Sequence, residues 1–515
     1  MRTLGVCACS LIALGVALAA CGEPAFGPGI EVRFAQAAQA LGEPAGLPAE
    51  VRALRLDARR GGLQVASSGC LDADEHRLGA ALDLAPGPGL ALEVSGWESP
   101  GCAGAPNWFG ATEGLEVLEG RAVEAGVYVL RRGWRLNPAR DALPAGRAFA
   151  TATPLPDGRV LVAGGFDRLT LEADGRVRLG AACDALVYDP SRARLVRVVP
   201  LGACRGMHQA LRLSDGSVWL LGGTSEASLD LAGALRPVLR AVESGRTALV
   251  ERYDPETGAF AGVGSFDPLA RADAAAALQD LDRMVVVGGR TQELQSADLI
   301  TGGPDGAWYL FADRLLAPRA GARAVSQRDG AVGYTLVVGG NQAGDEDAER
   351  IAFGSMTVEP VPFLGAAPDL TLVGHGLAVT PAGDFLVSGG MRPGPGSRPR
   401  AELWVASAGD GGYQTRALPL SVPRALHLDA WLTDRAGQTE LALVGGLNYS
   451  LRGAREIERC DQTGECALAE DLLAGGQAGL AGAPTPDGAL LLAGGLAVSP
   501  AGEVELSDVL ELLAP

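Results

Sequence analysis

Short apolar runs that close on a pair of glycines punctuate this chain. They read RVLVAGG, SVWLLGG, RMVVVGG, YTLVVGG, DFLVSGG, ELALVGG and ALLLAGG, with first glycines at Gly164, Gly222, Gly288, Gly339, Gly389, Gly445 and Gly494. A continuous apolar run of this length, bounded by turn residues, is the pattern of a strand buried on both faces. Ahead of each run lies another strand, joined to it by a Pro/Asp/Gly hairpin turn, as in RAFATATPLPDGRVLVAGG (147–165) and MHQALRLSDGSVWLLGG (207–223). Beyond it comes a third strand, ending in VYDPSRARL (187–195) or RYDPETGAF (252–260), where the Asp-Pro pair breaks the chain before a fourth. The interval between glycine pairs is 49 to 66 residues throughout. The pairs are therefore strand ends in a sevenfold repeat, and not isolated phosphate-binding loops.

One four-stranded unit has two apolar faces and cannot bury both alone; stacking the units around an axis covers them. The pattern predicts an all-β chain whose repeats close into a seven-bladed propeller, with six blades as the alternative count. The seventh unit stops at SDVLELLAP, a third strand, so its fourth is predicted upstream at GWRLNP (133–138). Four antiparallel strands with a di-glycine after the second resemble the kelch repeat, over roughly 134–515. On that resemblance Trp134 takes the tryptophan position of the pattern, although Val196 and Phe260 stand there in other units and YDP is clear only twice. The stretch before the repeats has a different rhythm. VRALRLDARRGGLQVASSGC, LALEVSGWESPGC and GVYVL show short alternating strands with Gly/Pro turns. They predict a small β-sandwich, Ig-like or transthyretin-like, over 30–125, followed by the propeller over 126–515.

The first 21 residues, MRTLGVCACSLIALGVALAAC, pair one arginine with an apolar core too short to span a bilayer comfortably. The run resembles a bacterial lipoprotein signal, with 1–20 as the leader, Leu18-Ala19-Ala20-Cys21 as its lipobox, Cys21 as the lipidated residue and 21–29 as a short tether. The resemblance implies a membrane-anchored protein of the bacterial cell envelope, and Gly22 after the cysteine implies outer-membrane sorting. Cys7 and Cys9 leave with the leader. Six cysteines then remain, and six allow 15 pairings. Neighbours in sequence suggest Cys70–Cys102, Cys183–Cys204 and Cys460–Cys466, the usual fate of an even count in an oxidising compartment.

Composition narrows the function classes. The net charge is −18 and every one of the 43 basic residues is arginine. An acidic chain is a poor partner for nucleic acid, and a chain without lysine has no P-loop. His208 and His375 lie 14 residues before their glycine pairs and His427 lies 18 before its own. These are equivalent positions on innermost strands, spread around the ring, so packing explains them better than a shared metal ion. The sharpest enzyme alternative is a kelch-type oxidase resembling galactose oxidase. Such enzymes use tyrosine and histidine copper ligands and a cysteine crosslinked to tyrosine, and here the repeat cysteines all have partners. LSDGSVW (213–219) departs from the sialidase Asp box, no GxSxG elbow occurs, and GDEDAE (344–349) lacks EF-hand spacing and reads as a solvated loop. No catalytic, cofactor or metal residue is expected. The variable segments are the loops between second and third strands, one of them with a short helix beginning near Pro237. They would crowd Arg168, Arg290, Asn341, Arg392, Arg398, Asn448 and Arg452 onto one rim, a surface suited to a protein or glycan partner. The reading is a binding or scaffold module, with a carbohydrate-active kelch enzyme (copper oxidase or sugar epimerase) as the alternative.

Overall fold

The computed structural model describes residues 30–35, 47–73, 77–80, 82–119, 121, 123–139, 141–173, 176–230, 238–241, 245–291, 294–329, 332–342, 346–365, 367–394, 396–434, 437–499 and 503–515. The leader, Cys21 and the tether lie outside them. The described chain is all-β, its strands interrupted only by short 3-10 turns. Among the described residues no helix is long and apolar enough to cross a membrane.

Each glycine-pair unit is one antiparallel sheet. Sheet one orders Thr151–Pro154, Val160–Ala163, Asp184–Asp189 and Arg194–Pro200 side by side. The six that follow open with Gln209–Arg212, Ala275–Leu278, Arg323–Asp329, Val373–Val379, Leu428–Thr433 and Ala481–Pro484. The fifth gains an extra strand, Phe363–Leu364, parallel to its outer strand Gly412–Arg424. Sheet seven takes its fourth strand from upstream: Arg135–Pro138 pairs antiparallel with Leu510–Ala514, as predicted for 133–138. The seven opening strands neighbour one another in sequence order, and that of sheet seven lies against that of sheet one. Four second strands, Val160–Ala163, Val218–Leu221, Met284–Val287 and Leu490–Ala493, are wholly buried, and the other three are buried over their apolar runs, which is why they read as unbroken apolar segments.

The glycine pairs set the spacing between sheets. Gly164 and Gly165 both have positive φ, 56° and 88°, a region open to glycine at little cost. A Cβ on Gly164 would lie 2.3 Å from the Arg205 carbonyl oxygen. That close approach lets the Gly165 N–H donate to the same carbonyl at 2.9 Å, from sheet one to the start of sheet two. The bond recurs from Gly223 to Arg271, Gly289 to Arg319, Gly340 to Leu372, Gly446 to Gln477 and, between sheets seven and one, Gly495 to Arg147.

Four of these junction residues are arginines, and Arg424, whose carbonyl oxygen a Cβ on Gly389 would approach to 2.2 Å, stands at the equivalent place; all five side chains turn back into their own sheet. Arg147, Arg205, Arg271, Arg319 and Arg424 donate to the carbonyls of Gly164, Gly222, Gly288, Gly339 and Gly445. Each also pairs with an acid on or beside the third strand: Asp184, Glu251, Asp298, Glu349 and Glu458. Arg319–Glu349 and Arg424–Glu458 are completely buried. The described part of the acidic stretch, 346–349, is therefore not the solvated loop expected of 344–349. Glu349 neutralises Arg319, and Asp347 accepts from Asn341, the Leu370 N–H and Thr371.

The N-terminal part contains two sheets over one core. One orders Leu63–Ser67, Ala53–Arg60, Gly87–Trp97, Trp108–Val117 and Leu130–Arg131; the other orders Arg77–Ala80, Ile30–Ala35 and Val123–Tyr128. Leu54, Leu56, Leu92 and Val94 of the first pack with Val123, Ala125 and Val127 of the second. The expected division at 125/126 falls inside the strand Val123–Tyr128. No spacer follows, because the Tyr128 hydroxyl donates to the Pro138 carbonyl and Leu130 joins the core of sheets one and seven. The three disulfides are Cys70–Cys102, Cys183–Cys204 and Cys460–Cys466.

Three substitutions and one double variant test this arrangement. Gly164→Ala adds a left-handed alanine and a clash with the Arg205 carbonyl, and should cost about 2–5 kcal/mol. Gly354→Ala, also at positive φ but with open space around its Cβ, should cost only about 1–2 kcal/mol; denaturation midpoints rank the two. Arg319→Met strands Glu349 without a partner and should cost about 3–5 kcal/mol, most of it recovered in Arg319→Met/Glu349→Leu. A double variant weaker than the single one would contradict the role assigned to the pair.

Candidate functional site

Two residues after each junction carbonyl the chain turns into the left-handed region. The seven residues are Phe149, Met207, Asp273, Gly321, Gly374, Leu426 and Gly479, with φ between 53° and 75°. Six of their N–H groups donate around the ring, to the carbonyl of the corresponding residue in the preceding sheet: Met207 to Phe149, Asp273 to Met207, Gly321 to Asp273, Leu426 to Gly374, Gly479 to Leu426 and Phe149 to Gly479. All seven line one cavity of about 380 Å³. A left-handed Phe, Met or Leu is disfavoured by about 1–2 kcal/mol, and such strain clusters at functional sites.

One segment expected to be a loop lines the cavity, through Arg392, Pro393, Gly394 and Ser397; others form sheets that stand behind the lining. Phe166–Leu171 and Arg176–Ala181 from unit one pair with Glu226–Asp230 and Val238–Ala241 from unit two to make a further four-stranded sheet. The helix expected near Pro237 is replaced by the strand Val238–Ala241, with Pro237 itself outside the described residues. Gln477–Ala478, Leu496–Val498 and Val504–Leu506 form a three-stranded sheet beside it. Their apolar side chains, with Phe166, Leu179 and Leu496 at the centre, pack against Phe149 and Met207 from behind. An alternating segment such as Arg176–Ala181 buries every second side chain only because a neighbouring unit supplies the pairing strand.

The seven candidate rim residues divide. Arg290 and Arg392 line the cavity. Asn448 and Arg452 line a separate one of about 310 Å³ with Arg455, Ser499, Glu503 and Glu505, where the Asn448 side-chain Oδ1 accepts from the Ser450 and Arg452 N–H groups. Arg398 lies over the Tyr449 ring. Arg168 donates to the Ala181 carbonyl within the added sheet. Asn341 departs from the expectation: it is fully buried, donating to Asp347 and to the Gln342 carbonyl.

The residue after each left-handed position leads into the first strand of its sheet or lies within it, and in three sheets it is His208, His375 or His427. All three are buried. His208 Nε2 is 2.9 Å from Thr151 Oγ1 and His427 Nε2 is 2.7 Å from Ser388 Oγ. Burial pushes His208 and His375 down to about 3, with Arg205 adding to the effect on the first and Arg323 on the second. His427 is lowered well below its ordinary value for the same reasons, Arg424 contributing. His427 Nε2 and Ser388 Oγ share a hydrogen bond, but His427 Nδ1 has no partner to orient the ring and Ser388 is buried, so the pair lacks the third member of a nucleophilic triad.

With this geometry in view, the comparisons can be placed. No known protein family matches the chain, and no curated protein resembles it in sequence. Among solved structures, the chain is similar to one described as a novel fungal alcohol oxidase with catalytic diversity among the AA5 family, in complex with copper. The identity is 13%, the TM-score is 0.54, and the likeness covers 74% of this chain and 76% of the other. At that identity the likeness is one of fold. The cavity does not fit copper: no tyrosine or cysteine lines it. All six described cysteines are in disulfides, and no three His, Cys, Asp or Glu side chains among the described residues converge on a point.

The neutral histidines make acid stability a test of the site. Each takes up a proton on unfolding below about pH 6.5 and stays neutral when folded, so the unfolded chain binds more protons and stability falls with pH. Each contributes up to about 1.4 kcal/mol per pH unit. Asp273, Asp429 and Glu511, raised by burial, act in the opposite sense. Stability measured from pH 7 to 5 should therefore fall less steeply in His208→Asn/His427→Asn than in the parent, and equal slopes would show that the rings are not held neutral.

Proposed function

We propose that this chain is an exported lipoprotein, anchored through Cys21 in the bacterial outer membrane, whose seven repeats form a kelch-type propeller carried behind a small β-sandwich. Its role is to bind a protein or glycan of the cell envelope. The observation that carries the reading is the cavity at the hub of the seven sheets. Every sheet contributes a residue to its rim, and its wall is largely apolar with a few fixed charges, the usual composition of a binding site. Bonds between the left-handed residues hold the rim before any ligand arrives. The paired cysteines suit an oxidising compartment.

A second reading, a carbohydrate-active kelch enzyme, is favoured by the likeness of fold to the fungal alcohol oxidase. Copper content, alcohol oxidation and sugar epimerisation by the purified protein separate the two, since the binding module should show none of them. Capture of an envelope protein or glycan by the full chain, lost when Phe149→Ala opens the rim, would favour the first. The anchor has its own test: Cys21→Ala should abolish lipid labelling and release the protein from washed membranes, whereas unchanged membrane association would remove the lipoprotein assignment.

A further inference from the structure

The hub cavity contains two cations that the surrounding protein leaves largely unneutralised. Arg323, on the first strand of sheet four, reaches across to sheet five, where its Nε donates to the His375 carbonyl at 3.1 Å. Among the described residues its guanidinium makes no other hydrogen bond and no ion pair. Arg290 follows the third glycine pair, and its Nε is buried with no hydrogen-bond partner. The nearest carboxylate oxygen, on Asp273, is 4.0 Å away, at the outer limit of an ion pair. Both arginines act electrostatically on that one Asp273 carboxylate, which sets the three groups in one neighbourhood.

Other arginines nearby are engaged. Arg392 on the same wall is held by Asp369, which also takes Arg400, and the five junction arginines each have an acid. Two cations thus line the cavity beside one lining carboxylate, Asp273, while Asp429, on the first strand of sheet six and outside the lining, acts on Arg323 alone, in a chain whose net charge is −18. Leaving a sheltered donor unpaired costs about 1–3 kcal/mol, which an incoming acceptor would offset. The rest of the lining has the opposite character: Phe149, Met207, Val373, Leu426, Leu451 and Leu480 are apolar.

We propose that the hub cavity binds a small amphipathic carboxylate, its oxygens accepted between Arg290 and Arg323 and its apolar body against Phe149, Met207 and Leu426. The proposal rests on the reading of this cavity as the binding site and adds the chemical class of the ligand. A planar carboxylate matches the guanidinium fork. A bare sugar would leave hydroxyls facing the apolar collar without partners, and a cation would meet two like charges.

Isothermal titration of the full chain with 4-phenylbutyrate, 4-phenylbutan-1-ol and 4-phenylbutylamine tests the assignment. The acid should bind at least tenfold more tightly than the alcohol, and the amine not detectably. Arg323→Met and Arg290→Met should each weaken the acid at least fivefold and leave the alcohol unchanged, with melting temperatures near the parent's, since neither guanidinium has an ion pair within 4 Å other than the long one to Asp273. Acid and alcohol bound equally would overturn the carboxylate assignment while keeping the cavity as a binding site. No binding of any probe, or acid binding indifferent to both arginines, would also overturn it. Loss of partner capture in Phe149→Ala is a separate readout, so failure of the ligand class and failure of the binding reading remain distinguishable.

Discussion

The hydrogen bond from the second glycine of each pair to the carbonyl that opens the next sheet determines how near two sheets can stand. Its donor and acceptor meet at 2.7–2.9 Å only because no Cβ intervenes at the first glycine. Several features share that geometry. The junction carbonyl is held from one side by the glycine N–H, and the same residue's guanidinium holds the first-glycine carbonyl of its own sheet. Two residues later the chain must turn sharply to begin the inner strand, and the left-handed ring results. Histidine rings also use the space: His208 Cε1 would come within 2.9 Å of a Cβ on Gly164, and His375 Cε1 within 2.5 Å of one on Gly339. Glycine spacing, junction bond and rim are one mechanical unit repeated around the axis.

Buried arginines at the junctions suit this unit in a way lysine would not. At each site the side chain must reach a backbone carbonyl and a carboxylate in different directions, which a planar fork does with fixed geometry and an ammonium does with a flexible stem. Burial opposes the charge, lowering Arg205, Arg271 and Arg424 from their ordinary value, while the paired acids counter it. Buried pairs of this kind contribute little net stability over an apolar substitute, yet are costly when half removed. Their contribution here is placement, because each fixes two strands of its own sheet relative to the turn that meets the preceding one.

Much of the scaffold was legible because its signals are local. Glycine pairs, hairpin turns and the orphan strand around Arg135 each declare themselves within a few residues, and all three disulfides join sequence neighbours. What escaped depends on distant partners. The junction arginines recur 17 residues before the glycine pair in units one to three, but arginine is the only basic residue and its spacing is lost among 43 copies. The acidity of 344–349 suggested solvent, and only Arg319, some thirty residues earlier, turns Glu349 into a core residue. The added sheet over the first two units needs strands from two different loops, so neither loop alone betrays it. The histidine positions were readable from the repeat; the left-handed rim was not, because nothing in Phe, Met or Leu suggests positive φ.

The repeat also indicates where function resides. A junction position tolerates Arg, Leu or Gln because its carbonyl does the bonding, so variation there is structural accommodation. At the rim the backbone is again constant, but glycine occupies three positions while Phe149, Met207, Asp273 and Leu426 accept a conformation that disfavours them. Glycine at all seven would be the less strained solution for the scaffold. The four side chains are retained at a cost, and they sit together on the lining of one cavity, three apolar and one acidic, beside two arginines without full partners. Phe149 and Met207 also pack against the added sheets, but Leu426 and Asp273 have no part in that cluster. Four such side chains at a shared opening are what the proposed binding role would require.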